Sequence, residues 1–405
     1  MEYLFTERAH LMCPGMCFGI VLCIKALFEE KRIRDSFSVL AQAHPFLNAL
    51  IGYERETNAY YYDITDSSKV SIDIKDEELY APDSPVIMSE YEKITGRDID
   101  LLNEGMLKAA AWKMGANTCF LLVFHHLLAD GRGALGLAVE LAELYANGKK
   151  PGYAPEKLIS SAEDLPKNSA MPLISRMLTN KANHDWAKEG HDPLFYREYH
   201  EYADKFLKTD KIRHSLRKTE SAEVRKMRGE CREHSVTVND LLVARMLISE
   251  STDKVIIAAD LRDRLPFYNK GALGNYSTAF SIAIKKKSND EFALAQEVHK
   301  RVKSIISKPQ QLYLILRCYA ALDPALLDAA FMSAKNAYES KSAGFIGNMV
   351  FGFASPEGCS ITNLGRIDNN IIDSGFFIPP ASPAIRKTQG VLTINGEMMI
   401  CTSER

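Results

Sequence analysis

The sequence predicts an α+β fold in two lobes, and three observations carry that prediction. Its 405 residues exceed one compact core and suit two domains of about 200 residues each. Helical and strand periodicities are mixed in both halves. Between them, residues 148–208 lose their periodicity and are interrupted by Pro151, Pro155, Pro166, Pro172 and Pro193, as expected of a crossover.

Residues 16–24 form an apolar run of strand length and read as a buried strand. Over 33–43, Ile33, Phe37, Leu40 and Ala41 recur at the 3.6-residue period of an amphipathic helix. Residues 60–64 and 70–74 cluster or alternate as strands. Residues 106–114 and 118–124 flank Gly115-Ala116-Asn117, a hairpin signal. A helix over 133–146 puts Leu135, Ala138, Val139 and Ala142 on one face, and Asn147-Gly148 stops it. In the second half, 222–234 is a helix with Val224, Met227 and Cys231 aligned and Ser221 as its cap. A further helix over 241–248 follows Asn239-Asp240. Residues 255–259, 280–284, the surroundings of Ile361 and 391–394 read as strands.

Composition narrows the function. Fifty Lys and Arg against 52 Asp and Glu give a formal charge of −2, so no global field would hold nucleic acid or an anionic membrane. A chain that is 46% hydrophobic and 25% charged is of ordinary globular make-up. No stretch approaches the roughly 18 uninterrupted apolar residues of a spanning helix. Leu11 to Phe28 fails as a signal peptide: Glu2, Glu7 and Arg8 precede it, Pro14 and Gly15 break it, and Lys25 ends it. The eight cysteines are scattered, and Cys13 and Cys17 have no second Cys or His pair with which to hold zinc. They are expected to be reduced, in a cytoplasmic protein that binds no metal.

The informative segment is Phe120-Leu121-Leu122-Val123-Phe124-His125-His126-Leu127-Leu128-Ala129-Asp130-Gly131-Arg132-Gly133. It sits at a strand end, in a tight loop, before a helix. Alternation along a strand sends His125 and His126 to opposite faces, so one imidazole can meet a reaction centre and both cannot bind one metal. Asp130 can reach back toward an imidazole or toward a cation elsewhere. Gly131 and Gly133 permit close backbone approach. A strand-end base beside small residues suits proton removal from a nucleophile. The same residues also fit a plain strand end with a turn, and residue chemistry alone leaves both readings open.

The segment matches the HHxxxDG signature, and three others strengthen a resemblance to the condensation-domain and chloramphenicol-acetyltransferase-like acyltransferases. Arg32 to Ile51, with Ala43-His44-Pro45-Phe46-Leu47, resembles that superfamily's early helix. Val236-Thr237-Val238-Asn239-Asp240-Leu241-Leu242 resembles its "TvNDlll" helix start. Asp260-Leu261-Arg262-Asp263-Arg264 with Leu273-Gly274-Asn275-Tyr276 resembles its arginine segment and "G-N" strand, and Thr362-Asn363-Leu364-Gly365 is a weaker echo. The likeness spans roughly residues 7–285. His126 stands where dihydrolipoyl acyltransferases have Arg, and the plant-type DFGWG motif is absent. With no GGxS carrier site or adenylation domain alongside, the resemblance is to freestanding condensation-like or alcohol-acetyltransferase-like members. Many relatives continue into a last helix where this chain stops.

That resemblance implies two chloramphenicol-acetyltransferase-like lobes, two-layer sandwiches forming a pseudo-dimer around an active-site channel. The first is expected over 1–165 with HHxxxDG, the second over 166–405, the boundary lying within 150–208. It implies transfer of an acyl group from a thioester, on acyl-CoA or an acyl-carrier phosphopantetheine, to a hydroxyl or amine. His126 takes the role of general base and His125 packs inward. Asp130 pairs with an arginine of the other lobe, here Arg262. Gly131 keeps the channel open and offers its N–H to the oxyanion. Asn275 and Asn363 become substrate-binding candidates. No cofactor is tightly bound. A small-molecule acceptor, the acyl thioester and an acyl or peptidyl carrier protein are the expected partners of a monomer. The alternative is a non-catalytic module that docks a carrier or partner enzyme. Lys285-Lys286-Lys287 could meet a coenzyme A phosphate, but three lysines after a strand more often form a solvated edge.

Overall fold

The computed structural model describes every residue except 1, 193, 286–287, 334–337 and 353–357, so Pro193, Lys286 and Lys287 lie outside the described residues. The first half runs β1 (Glu2–Tyr3), α1 (Arg8–Leu11), β2 (Cys17–Ile24), α2 (Glu30–Ala43), β3 (Ala49–Glu54), β4 (Ala59–Ile64) and β5 (Ser71–Glu78). It continues through α3 (Pro85–Thr95), β6 (Leu107–Met114), β7 (Asn117–His125) and α4 (Gly131–Asn147). Helices α5 (Leu173–Glu189) and α6 (Tyr196–Thr209) lead to β8 (Arg213–Thr219), α7 (Ser221–Glu233), α8 (Val238–Ser249), β9 (Lys254–Asp260) and β10 (Ser277–Ala283). Then come α9 (Glu291–Ile306), α10 (Pro309–Leu312), α11 (Leu314–Ala321), α12 (Pro324–Met332) and α13 (Lys341–Ile346). The chain closes with β11 (Cys359–Ile367), β12 (Ile372–Ile378), β13 (Lys387–Ile394) and β14 (Glu397–Glu404).

The strands form two large sheets, one per lobe, ordered β12-β2-β7-β6-β5 and β10-β9-β11-β13-β14-β8, and a small sheet β1-β4-β3. The first sheet is thus completed from far along the chain, with Phe376 opposite Val21 across β12 and β2. Its central strands are covered on both faces. Phe18, Ile20, Leu22, Phe120, Leu122 and Phe124 enter the main core, while Val21, Cys23, Leu121 and Val123 pack with Ile87 and Tyr91 of α3. Burial on two sides is why these strands read as unbroken apolar runs.

Several sequence expectations need correction. The crossover holds two helices, not an irregular run. Only Thr179, Ala182 and Trp186 of α5 are buried, too few to mark a face. In α6 the buried face is Tyr196, Tyr199, Ala203 and Phe206, whose tyrosines do not register as apolar positions. Ser221 is the first helical residue of α7, whose N-cap position falls on Glu220 without a side-chain bond. Helix α4 starts two residues earlier than expected, because Asp130 caps it by accepting the Gly133 N–H at 2.9 Å. Strand β14, which the sequence reading did not place, is an interior strand between β13 and β8. All eight cysteines carry free thiols, seven of them buried. No helix among the described residues is long and apolar enough to cross a membrane.

Candidate active site

Strand β7 delivers the histidines. The His125 N–H donates to Met106 O at 2.8 Å and the His126 N–H to Met16 O at 2.9 Å, so both neighbouring segments fix the strand end. His125 is buried, and its Nδ1 accepts the Leu127 N–H at 3.3 Å. It borders a small cavity with Cys17, Tyr91, Asp98 and His214. His126 is partly exposed and borders a different, larger cavity of about 210 Å³. Glu7, His10 and Met16 share that wall with it, and Ile256, Asn275, Thr278, Ile361 and Thr362 from the second half of the chain face them.

Residues 274–276 lie across the His-His-x-x-x-Asp-Gly loop as a strap. Gly274 O accepts the Asp130 N–H at 3.1 Å, and the Tyr276 N–H donates to Asp130 Oδ2 at 2.8 Å. Asn275 makes the bond that decides the chemistry. Its Nδ2 donates to the His126 carbonyl at 2.7 Å, and its Oδ1 lies 2.8 Å from His126 Nδ1. A carbonyl can only accept, so the amide orientation is fixed and Oδ1 faces the ring. His126 therefore carries its proton on Nδ1 and keeps the lone pair of Nε2 free. The ring is further held by Phe18, edge-on at 5.3 Å, and His10, stacked at 4.4 Å.

Burial lowers the His126 pKa below the ordinary histidine value, against the opposing pull of Asp130 and the Asn275 bond. Burial, and then the neighbouring His126, takes His125 down to about 3. Both rings are neutral at pH 7. Arg262 Nη2 lies 2.8 Å from Asp130 Oδ1 and Nη1 lies 3.0 Å from Asp260 Oδ1. Burial works against the Arg262 charge, but Asp130 and Asp260 outweigh it and hold its pKa above the ordinary value.

The other sequence candidates sit elsewhere. Gly131 opens α4 and does not line the cavity; a Cβ there would lie 2.7 Å from Leu364 Cδ2, so the glycine permits close packing of the two halves. Asn363 Oδ1 accepts the Gly365 N–H at 2.9 Å within the β11 bulge, outside the cavity lining. Sequence reasoning missed Glu7 and His10. They precede and occupy a four-residue helix, too short to show a period. Among the described residues no group of three or more His, Cys, Asp and Glu is placed to hold a metal ion.

The Condensation domain family model matches residues 17–311. Surfactin synthase subunit 2 of Bacillus subtilis (strain 168) is 27% identical over 135 residues, 33% of this chain and 4% of that protein's length. The chain thus spans only a small part of that curated relative. Among solved structures, the epimerization domain of the third module of tyrocidine synthetase B superposes with a TM-score of 0.57 at 15% identity, covering 99% of this chain and 87% of that one. Polyketide synthase associated protein 5 of Mycobacterium tuberculosis gives 0.59 at 14% identity, covering 100% and 92%. The first condensation domain of the calcium-dependent antibiotic synthetase gives 0.61 at 8%, covering 100% and 91%. At such identities the structural likeness is one of fold, the two-lobed fold described above.

Proposed function

The chain belongs to the condensation-domain family, and from that premise we propose an acyltransferase acting from a thioester to a hydroxyl or amine, with His126 as general base. The acyl donor is acyl-CoA or an acyl-carrier phosphopantetheine. The observation that carries this reading is the free Nε2 of His126, left by the Asn275 bond on a neutral ring that borders the inter-lobe cavity.

In this mechanism Nε2 takes the proton of the acceptor O–H or N–H as the oxygen or nitrogen attacks the thioester carbonyl. Collapse breaks the C–S bond, and His126 returns its proton to the departing thiolate. Asp130, with Arg262, acts by holding the loop that carries His126. Asn275 serves through the ring it orients. Asn363, outside the cavity lining and bonded to Gly365, is given no substrate contact in this reading. The lobes are taken as 1–165 and 166–405, with β12 of the second stretch reaching back to complete the first lobe's sheet, in a cytoplasmic monomer that needs no tightly bound cofactor, with a carrier protein as a partner where the donor is carrier-bound.

The test is acyl transfer from a panel of acyl-CoAs and phosphopantetheine-loaded carrier, against mixed alcohols and amines, read by thiol release and product mass. Turnover in the wild type that His126→Ala abolishes is the expected result. Absence of transfer from every donor, loaded carrier included, would favour a docking module instead.

A further inference from the structure

Helix α1 is short, yet three of its four residues are immobilised. Ala9 and Leu11 are in the core. Arg8 reaches across to α12, where its Nη2 lies 2.6 Å from Asp328 Oδ2 and its Nε 3.1 Å from Oδ1, both side chains buried. Its Nη1 donates to Asn58 O at 2.8 Å, and the guanidinium lies over the Tyr60 ring. The fourth residue, His10, is the one that borders the cavity. Its ring is 4.4 Å from the His126 ring, centroid to centroid, with 26° between the planes.

The two imidazoles meet by their faces. Ring nitrogens carry their protons and lone pairs in the plane, so this contact offers no line for a proton to pass between them. Burial holds both rings below the ordinary histidine pKa, so at neutral pH the stack joins two uncharged rings without repulsion. What the contact does is mechanical. The torsion that turns an imidazole has a broad, shallow minimum, and one in-plane hydrogen bond does not define it. His126 has the Asn275 bond in its plane and the Phe18 edge beside it; His10 covers its face.

We propose that His10 is a positioning residue for acyl transfer: its ring, anchored through α1, holds the His126 plane in which Nδ1–H reaches Asn275 and Nε2 stays free. The inference rests on the reading of His126 as the base. It requires an aromatic face at position 10 and not a titratable one. Displacement of a reacting group by about 1 Å costs on the order of 10²-fold in rate, the scale on which such a stack matters.

The test compares wild type with His10→Ala and His10→Phe, on ¹⁵N-histidine-labelled protein and in the transfer assay. Long-range ¹H–¹⁵N correlation should show the Nδ1–H tautomer of His126 in wild type and His10→Phe, and nitrogen shifts averaging toward a mixture in His10→Ala. Turnover of His10→Ala should fall by about tenfold to a hundredfold with the acceptor KM little changed, and His10→Phe should recover most of it. A wild-type tautomer in His10→Ala would overturn the proposal, whatever its melting temperature does. So would a His10→Phe as impaired as His10→Ala, which would make the ring nitrogens the working part. The tautomer measurement needs no substrate. Loss of transfer in the wild type itself would therefore count against the acyltransferase reading and leave the positioning role decided by the spectra.

Discussion

Asp130 and Arg262, 132 residues apart in sequence, meet as a 2.8 Å ion pair that ties the loop bearing His126 to the second half of the chain. Asp130 does more than pair. Its Oδ1 also accepts the Gly133 N–H, its Oδ2 accepts the Tyr276 N–H, and its own N–H donates to Gly274 O. The carboxylate therefore joins the α4 N-terminus, the strap and the arginine at one point. A group so fully engaged as an acceptor is placed for architecture.

Removal of the two partners should consequently be unequal. Asp130→Ala leaves Arg262 with Asp260 alone and leaves the Gly133 and Tyr276 N–H groups without an acceptor, and should cost about 3 to 5 kcal/mol. Arg262→Ala leaves Asp130 with its two N–H donors and should cost less. A double-mutant cycle by denaturant unfolding should show the double variant less damaged than the sum. Additive losses, or an Asp130→Ala protein as stable as wild type, would refute the coupling.

His126 and His125 should separate in the opposite sense. His126→Ala should lose at least about a hundredfold in turnover, the contribution expected of a general base, with unfolding changed by only about 1 kcal/mol. His125→Ala empties a buried position between β7 and its neighbours, and should lower the melting temperature as well as activity. Equal turnover in wild type and His126→Ala, on a confirmed substrate, would remove the base.

How far the sequence foretold this site depends on where each residue lies. His125, His126, Asp130 and Gly131 fall within seven consecutive residues, and alternation along β7 already separates the two imidazoles. Arg262 and Asn275 were reachable only through a motif resemblance, because nothing local to 260–276 reveals what that segment faces. Glu7 and His10 escaped altogether: their helix is fixed by Arg8 bonding to Asp328, 320 residues away, and not by its own periodicity. The same holds for β12, an apolar strand whose place beside β2 is set by tertiary packing. Helix α6 was hidden by its tyrosines, whose rings are buried while Tyr196 OH still bonds Asp98 and Ile99 O.

Asn275 gives a prediction in pH. Burial keeps His126 below the ordinary 6.5, so the acidic limb of kcat/KM should lie below that value in the wild type. Asn275→Asp replaces the neutral Oδ1 acceptor by a carboxylate, which favours the imidazolium, and it removes the donor to the His126 carbonyl. The acidic limb should move upward by about one unit or more, since an adjacent opposite charge raises a histidine pKa by that order. Asn275→Ala should lower turnover by loosening the tautomer without the upward shift. Identical pH profiles for Asn275→Asp and wild type would mean that the amide does not govern the ring.

Glu7 carries the last prediction, one of stability. It is almost wholly buried in the cavity wall, its Oε1 has no hydrogen-bond partner, and burial pushes its pKa up to about 7 from an ordinary 4.5. A carboxyl whose folded pKa is raised binds its proton more tightly in the native state, so folding is favoured at low pH. That advantage is lost as pH rises from about 4.5 to about 7. At 1.36 kcal/mol per unit, the window amounts to about 3 kcal/mol. Glu7→Gln keeps the size and removes the ionisation. The difference in unfolding free energy between Gln variant and wild type should be small near pH 5 and grow in favour of the variant to about 3 kcal/mol near pH 8. Taking the difference cancels the titration of every other group that the substitution leaves undisturbed. Denaturant unfolding at several pH values measures it, and two parallel stability curves would show that Glu7 does not titrate in this window.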